Sequence, residues 1–247
     1  MKHGCRPMPT DMNLRGLRVA VTGGTSGLGL ALVRQLVGGG AQVAFVARTA
    51  ATVERIANET GACGVVGDIG RKEDIYPVAL QVTANLGGLD ALINGASTLG
   101  PAPLVPLADT ECEDFEQALV VNVLGPFRLT KALFGALAAS AQEGRGAVVI
   151  NISSDAALNA YSGWGAYGSS KAALHHLTAI WAGEAKAEGI SFLSLDPGDM
   201  DTPLHALAVP DSDPATLRRP EDAAAEIVDA LLAALAGRTA RAVAVQP

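Results

Sequence analysis

The stretch Thr22-Gly23-Gly24-Thr25-Ser26-Gly27-Leu28-Gly29 decides the fold of this chain. A short apolar run at residues 17–21 precedes it, and a helical pattern at residues 30–38 follows it. Glycine accepts positive φ angles and lets the backbone approach a ligand closely. The free N–H groups and the positive dipole end of the next helix suit a pyrophosphate. The stretch therefore predicts a strand, a phosphate-binding turn and a helix; the alternative is a tight turn that binds nothing.

The alternation of short apolar runs and longer helical patterns continues along the chain. Further strands are predicted at residues 42–47, 63–66, 89–93, 147–152, 190–195 and 240–245, and helices at residues 49–60, 71–86, 110–139, 167–188 and 221–236. Strands and helices that alternate with short connections form a parallel sheet with right-handed crossovers. We therefore expect an α/β fold: a single Rossmann-type, doubly wound parallel sheet of about seven strands, flanked by helices on both faces.

The composition agrees with one domain of this kind. The chain has 247 residues, of which 49% are hydrophobic and only 4% are aromatic. The core must therefore be built from Ala, Val, Leu and Ile, as in parallel sheets whose strands are buried on both faces. This much apolar material excludes a disordered chain. We expect a flexible, polar leader at residues 1–16 and a single domain at residues 17–247.

Charge and cysteine content exclude several classes of protein. The formal net charge is −7, so no general field attracts phosphate, and nucleic acid is not an expected partner. The three cysteines, Cys5, Cys63 and Cys112, cannot complete a disulfide framework and lack metal-ligand spacing. We expect free thiols in a reducing cytoplasm and no metal site. No membrane segment is expected, because no apolar run reaches the length that spans a bilayer.

The turn at residues 22–29 also carries a resemblance to a known family. Its T-G-x-x-x-G-x-G pattern, formed by Thr22, Gly23, Gly27 and Gly29, resembles that of the short-chain dehydrogenases/reductases. The resemblance extends from about residue 17 to the last predicted helix, and it implies a dinucleotide-binding, catalytic domain. The cofactor contacts that it implies in the turn are Thr22, Gly23, Thr25, Ser26, Gly27, Leu28 and Gly29.

A serine, a tyrosine and a lysine match the family's catalytic motifs. Tyr167 and Lys171 are four residues apart, so they share one helix face. Ser154 precedes the tyrosine by thirteen residues, the family's common separation, which favours it over Ser153. A tyrosine hydroxyl can supply the proton that an alkoxide needs, and a nearby ammonium lowers its pKa from about 10. We expect Tyr167 to act as general acid or base while Ser154 holds the carbonyl oxygen.

The resemblance implies roles for four further residues. Lys171 would bond the nicotinamide ribose while it lowers the pKa of the tyrosine. Asn122 matches the family's helix asparagine and would bind water that links the lysine to bulk solvent; the alternative is a core asparagine that bonds nearby backbone. Asp68 would accept a hydrogen bond from the adenine amino group, and Ile69 would pack on the ring. The alternative for Asp68 is a loop residue that caps the next helix.

The ends of the fourth and sixth strands carry the remaining motifs. Asn94, Gly95, Ala96 and Ser97 stand where the family usually has N-N-A-G, so the second and fourth positions depart from the pattern. Small residues there still allow the backbone to pass under the cofactor ribose. The family's Pro-Gly pair brings the chain around the nicotinamide, and the alternative is a Pro-Gly turn alone. The contacts implied after the sixth strand are Pro197, Gly198, Met200 and Thr202.

The end of the second strand indicates which cofactor is used. NAD-specific relatives carry an acid there that binds both ribose hydroxyls, whereas this chain has Ala47 followed by Arg48 and Thr49. A guanidinium can bond a 2′-phosphate in fork geometry, and Thr49, Thr25 or Ser26 can add a hydroxyl bond. We expect NADP(H) to be preferred, with NAD(H) possible. The alternative is that Arg48 is only a solvated cap residue.

These observations predict an oxidoreductase that moves a hydride between NADP(H) and a carbonyl or secondary alcohol. Residues 97–109, 155–166 and 202–219 are expected to contact the substrate, and their apolar character favours a small or medium apolar compound. Trp164 either lines this pocket or only packs. The alternative function is a non-catalytic NADP-binding sensor or structural protein on the same fold. The resemblance also implies a homodimer or homotetramer, formed through the helices after the fourth and fifth strands.

Overall fold

The structure, a computed structural model, describes residues 14–237. Within this range one parallel sheet has six strands in the order β3-β2-β1-β4-β5-β6. The strands are β1 (Arg18–Thr22), β2 (Gln42–Ala47), β3 (Cys63–Val66), β4 (Ala91–Asn94), β5 (Ala147–Ile152) and β6 (Ile190–Leu195). The strand order reverses at β1 and β4, and ligands bind such sheets in the crevice outside that point.

Eight α-helices cover the two faces of the sheet in the described part of the chain. They are α1 (Gly27–Gly38), α2 (Ala50–Thr60), α3 (Ile75–Leu86), α4 (Cys112–Leu119), α5 (Gly125–Gln142), α6 (Gly165–Glu184), α7 (Pro203–Ala208) and α8 (Pro220–Leu235). Leu32 of α1, Ile56 of α2 and Ile227 of α8 are buried on one face, while Val78 of α3 and Leu133 of α5 are buried on the other. The predicted doubly wound α/β fold is confirmed.

The strands are apolar because helices cover both of their faces. Every residue of β4 and β5 is buried, which explains why these segments show no polar alternation. The sheet has six strands over residues 14–237 rather than about seven, and the predicted strand at residues 240–245 lies outside the described residues.

The N-terminal boundary of the packed domain lies before residue 17. Leu14, which the sequence analysis placed in the leader, is 1% exposed and belongs to the core cluster on the α1 face. Its backbone N–H donates to the carbonyl oxygen of Gly39 at 3.1 Å. Burial of this leucine therefore extends the packed domain to at least residue 14, while residues 1–13 lie outside the described range.

The pattern at residues 110–139 forms two α-helices joined by a turn of π-helix at Val120–Leu124. The backbone N–H of Gly125 donates to the carbonyl oxygen of Val120, five residues earlier. Pro126 has no N–H and cannot make the usual bond to the fourth residue before it. The wider π turn places this break just before α5, and such turns occur frequently at functional sites.

The helical run Cys112–Gln142 also bears on the membrane prediction. By length and composition alone it is apolar enough to cross a bilayer, so the expectation that no run reaches this length is wrong. Leu129, Leu133 and Leu137 of this run are almost fully buried against the sheet. These contacts are those of a core helix.

Candidate active site

A cleft of about 860 Å³ runs along the carboxyl ends of the strands. Most of the predicted site residues line it: Gly23, Thr25, Ser26, Gly27, Leu28, Gly29, Arg48, Thr49, Asp68, Ile69, Gly95, Ala96, Ser154, Tyr167, Lys171, Pro197, Gly198, Met200 and Thr202. Three others, Thr22, Asn94 and Asn122, are buried and do not line the cleft. The structure thus brings residues from seven separate segments to one surface, as the parallel topology requires.

The glycine turn fits the diphosphate of a dinucleotide. Gly23 and Gly27 have φ angles of +76° and +48°, which favour glycine. A Cβ atom on Gly29 would overlap the carbonyl oxygen of Gly23, so the turn can close only with glycine at this position. Ser26 makes no side-chain capping bond at the start of α1, which leaves the first N–H groups of that helix available to a phosphate.

Thr22 and Asn94 support the cleft from below. Thr22 Oγ1 accepts hydrogen bonds from the backbone N–H groups of Gly95 and Ala96, each at 3.1 Å, and so ties the end of β1 to the loop after β4. Asn94 Nδ2 donates to Asn151 Oδ1 at 2.8 Å, across the pair that the register of β4 and β5 creates. Both residues therefore hold the strand ends in place rather than contacting the cleft.

Asp68, in the loop after β3, is interpreted from the sequence either as an adenine contact or as a loop residue that caps the next helix. Its Oδ1 accepts a hydrogen bond from the backbone N–H of Gly70 at 2.8 Å, and its carbonyl oxygen accepts one from Arg71 at 2.9 Å. Asp68 therefore shapes the turn before the next helix, as the alternative proposes. It also lines the cleft beside Ile69, which is 5% exposed.

Tyr167 and Lys171 face the same part of the cleft from the first turns of α6. Both side chains are buried, and Lys171 Nζ lies 5.5 Å from the centroid of the tyrosine ring. The ammonium donates a hydrogen bond to the carbonyl oxygen of Ile152 at 2.8 Å, which fixes it at the end of β5. Ser154 follows that strand and lines the same cleft as the tyrosine and the lysine. The predicted trio is thus assembled at one point.

Burial shifts the ionisation of both groups. It raises the pKa of Tyr167 to about 12; hydrogen bonds with Ser154 and Ser97 act in the opposite direction, while the charges of Asp196 and Asp155 add to the rise. Burial lowers the pKa of Lys171 to about 8. The sequence predicts that Lys171 lowers the pKa of Tyr167; in this structure the loss of solvent dominates and the net shift of that pKa is upward.

The side chain of Asn122 holds the loop after β4. In the π turn, its Oδ1 accepts hydrogen bonds from Ser97 Oγ at 3.1 Å and from the backbone N–H of Thr98 at 2.9 Å. Its Nδ2 donates to the carbonyl oxygen of Thr98 at 2.7 Å and to Ser170 Oγ at 2.9 Å. These four bonds use the capacity of the amide, as the alternative of a backbone-bonding core asparagine describes.

The loop after β6 is anchored by contacts with Arg218 and by a helix cap. Arg218 Nη1 donates to the carbonyl oxygen of Pro197 at 2.9 Å, and Met200 forms a β-bridge with Arg218. Thr202 Oγ1 accepts a hydrogen bond from the N–H of His205 at 3.2 Å and so caps α7. Its hydroxyl proton stays available to a ligand in the cleft.

The substrate end of the cleft is both apolar and acidic. Trp164 lines it and packs edge-on against Tyr167 at 5.7 Å between ring centroids, so the tryptophan forms part of the pocket wall. The other apolar residues at this end are Leu99, Leu204, Leu207, Ala208 and Val209. Three carboxylates, those of Asp155, Asp196 and Asp199, line the same end, which the sequence analysis did not identify. Among the described residues, no group of three His, Cys, Asp or Glu side chains is arranged for a metal ion.

Three side chains at this end lie in segments expected to contact the substrate, but the sequence did not indicate their individual contacts. Ser97 replaces the glycine of the family pattern and reaches both Asn122 and Tyr167; the departure itself was the available signal. Asp155 and Tyr161 are hydrogen-bonded to each other at 2.6 Å, and Asp155 follows Ser154 directly. A carboxylate at the end of a buried strand was the signal for that pair.

Comparison with known proteins yields consistent matches. The family model described as short chain dehydrogenase matches residues 18–213. The chain is 33% identical over 201 residues to L-fucose dehydrogenase of Mus musculus, covering 81% of this chain and 71% of that protein. It is 32% identical over 194 residues to 2,5-dichloro-2,5-cyclohexadiene-1,4-diol dehydrogenase of Sphingobium indicum, covering 78% and 76%. A solved structure described as a short chain dehydrogenase from Pseudomonas syringae superimposes with a TM-score of 0.81 at 28% identity. The match covers 95% of this chain and 93% of that chain.

Proposed function

Because the chain belongs to the short-chain dehydrogenase family, we propose that it is an NADP-dependent carbonyl reductase or alcohol dehydrogenase. Its substrate is a small or medium carbonyl compound or the corresponding secondary alcohol. The observation that carries this proposal is the meeting of Ser154, Tyr167 and Lys171 in the cleft that also holds the glycine turn. A sensor or structural protein does not need a buried tyrosine and lysine beside a substrate-sized space.

The residues of the cleft fit a nicotinamide dinucleotide from end to end. The glycine turn and the start of α1 hold the diphosphate, and Asp68 with Ile69 holds the adenine. Lys171 binds the nicotinamide ribose, and the loop after β6 holds the carboxamide. When bound, the cofactor supplies or accepts the hydride.

The chain itself handles the proton. With its pKa raised to about 12 by burial, Tyr167 keeps its hydroxyl proton at neutral pH and can give it to a substrate oxygen that gains negative charge. Ser154 binds that oxygen through its hydroxyl group. Lys171, with a pKa of about 8, is mostly an ammonium at neutral pH and favours the phenolate when the tyrosine has lost its proton. Oxidation of an alcohol uses the same groups in reverse.

Arg48 supports NADP(H) as the preferred cofactor. It lines the cleft directly after β2, where the preceding Ala47 brings no carboxylate that would repel a 2′-phosphate. Thr25 and Thr49 line the same part of the cleft and add hydroxyl groups within this segment. A guanidinium with hydroxyl partners is suited to a phosphate monoester.

Two further features of the enzyme are part of the proposal. It forms a homodimer or homotetramer through α4, α5 and α6, and Ala173 and Ile180 of α6 are exposed. It works in the cytoplasm, where its free thiols Cys63 and Cys112 stay reduced. Fractionation of the cells that make the protein tests this location, and recovery from an oxidising compartment would contradict it.

Oxidation of NADPH over a panel of carbonyl compounds tests the proposed activity. The Tyr167→Phe variant removes only the proton donor, so we expect kcat to fall by about 10²–10⁴-fold while NADPH binding survives. Lys171→Ala should weaken both turnover and NADPH binding, because the lysine is proposed to contact the ribose.

Tyr76→Phe is the matched control, because Tyr76 is 74% exposed on α3 and lies outside the cleft. It should keep the wild-type rate. A Tyr167→Phe enzyme with full activity would show that the assigned mechanism is wrong.

A further inference from the structure

The carboxylate of Asp155 lies between two hydroxyl groups at the substrate end of the cleft. Tyr161 Oη donates a hydrogen bond to Asp155 Oδ2 at 2.6 Å, and Ser154 Oγ donates one to Asp155 Oδ1 at 3.1 Å. An ionised carboxylate has no proton and can only accept. The single hydroxyl proton of Ser154 is therefore directed at Asp155.

The remaining capacity of Ser154 limits what it can bind. A hydroxyl oxygen has one proton and two lone pairs, and the backbone N–H of Ala156 donates to this oxygen at 3.2 Å. One lone pair is left, and it can accept a hydrogen bond from an alcohol or from a neutral tyrosine. A carbonyl oxygen or a phenolate needs the proton of Ser154 instead. Asp155 and the reacting oxygen atoms thus compete for one proton.

We propose that Asp155 is a positioning residue that holds the hydroxyl proton of Ser154 away from Tyr167 and from the substrate oxygen, with Tyr161 anchoring the carboxylate. This inference rests on the proposed roles of Ser154 and Tyr167. An alcohol substrate then meets Ser154 as a ready acceptor. A carbonyl substrate binds well only after the hydroxyl of Ser154 has turned away from Asp155.

The charged groups around Tyr167 allow the effect of Asp155 to be separated into two parts. Asp155 and Asp196 both act on the tyrosine through their charge, and Lys171 faces its ring. Asp196 Oδ1 accepts a hydrogen bond from the backbone N–H of Gly198 at 2.9 Å, and its carboxylate acts on Tyr167 without a bond to Ser154. Asp155 acts through its charge and also through the proton of Ser154. Asp196 is therefore a matched control for charge alone.

Titration of Tyr167 tests the proposal without a substrate. The chain has three tyrosines, so for each variant the difference between the Tyr76→Phe protein and the Tyr76→Phe, Tyr167→Phe protein gives the phenolate absorbance of Tyr167 and leaves Tyr161 in place. In the Tyr76→Phe background we expect Asp155→Asn to lower the midpoint by about 1–2 pH units, because it removes a charge and leaves the Ser154 proton with a weaker, neutral acceptor. Asp196→Asn should lower the midpoint by less.

Ser154→Ala provides the decisive comparison. In a background that lacks the serine hydroxyl, Asp155→Asn should shift the midpoint by no more than Asp196→Asn does, since charge is then its one remaining effect and the charge of Asp196 acts more strongly on Tyr167. Circular dichroism at each pH checks that the folded protein is being titrated. An equal shift by Asp155→Asn with and without the Ser154 hydroxyl would overturn the positioning role.

A kinetic measurement tests the same proposal independently. The pH profile of kcat/KM for NADP⁺-dependent oxidation uses the alcohol of the best carbonyl substrate in the panel. Asp155→Asn should move the limb of this profile that reports Tyr167 toward lower pH by more than Asp196→Asn does, and an equal movement would contradict the proposal. A wild-type protein with no turnover on the panel would count against the proposed function, whereas the tyrosine titration still decides the role of Asp155.

Discussion

Arg48 follows the last residue of β2 and lines the cleft beside Thr49. A charge-assisted hydrogen bond contributes about 1.5–3 kcal/mol, which corresponds to about tenfold to over a hundredfold in affinity. Arg48→Ala should therefore weaken NADPH binding by about that factor and leave NADH binding nearly unchanged. Fluorescence titration of the two cofactors measures both constants.

Arg55→Ala is the matched control for this change. Arg55 is an exposed arginine of α2 that pairs with Glu59, so its loss changes the net charge equally without touching the cleft. Ala47→Asp should move the preference in the opposite direction, toward NADH, because a carboxylate would repel the 2′-phosphate. Equal kcat/KM values for NADPH and NADH in the unmodified protein would contradict the NADP assignment.

At the scale of elements, Asp90 joins β1, β4 and α5 at the amino ends of the strands, opposite the cleft. Its fully buried carboxylate accepts hydrogen bonds from Arg145 Nη2 at 2.7 Å, Arg18 Nη2 at 2.6 Å and Ser140 Oγ at 2.6 Å. Burial by itself would raise the pKa of Asp90, but bonds from the two arginines and the serine outweigh it and hold the pKa well below its usual range. The carboxylate thus connects the start of β1 to the C-terminal end of α5.

Because the pKa of Asp90 lies below its value in the unfolded chain, the stabilisation from these bonds is sensitive to acid. The stabilisation is fully present above the unfolded pKa of about 3.9 and is lost progressively as the pH falls below it. At pH 7, Asp90→Asn should lower the free energy of unfolding by about 3 kcal/mol, because two guanidinium groups lose their partner. Urea unfolding at pH 7 and at pH 3 measures this, and the variant should lose less stability than the wild type between these two pH values.

The exposed pair of Arg34 and Glu59 provides the control for the Asp90 experiment. Their side chains are 50% and 40% exposed, so Glu59→Gln should cost less than about 1 kcal/mol. If Glu59→Gln and Asp90→Asn lowered the free energy of unfolding by similar amounts, the buried carboxylate would stabilise the fold no more than an exposed one does.

At the scale of the whole molecule, the proposed oligomer makes a prediction about α6. Ile180 of α6 is 44% exposed although it is a large apolar residue, which a contact between subunits would explain. Ile180→Glu should therefore shift the molecular mass measured by light scattering toward the monomer. Leu80→Glu on α3, at a residue 69% exposed, should leave the mass unchanged. A wild-type monomer at micromolar concentration would refute the oligomer.

The sequence alone determined the fold class and most of the cleft. Apolar runs that alternate with helical patterns leave one common solution, a parallel sheet covered on both faces, and the ends of its strands must then meet at one edge. The glycine turn, Arg48 after β2 and the spacing of Tyr167 from Lys171 depend on local geometry, so they could be identified from the residues. The structure places all of them on one cleft.

Only the tertiary structure decided how the side chains at the site share protons and charge. Asn122 bonds Thr98 and Ser170 through contacts between segments that folding brings together, whereas Asp155 bonds Ser154 and Tyr161 within one loop. The pKa of Tyr167 also depends on the tertiary structure, because the sequence shows the nearby lysine but does not show how deeply the phenol is buried. Local pattern specifies which elements form and where they end. Desolvation and hydrogen-bond partners depend on distances across the fold, which no single segment encodes.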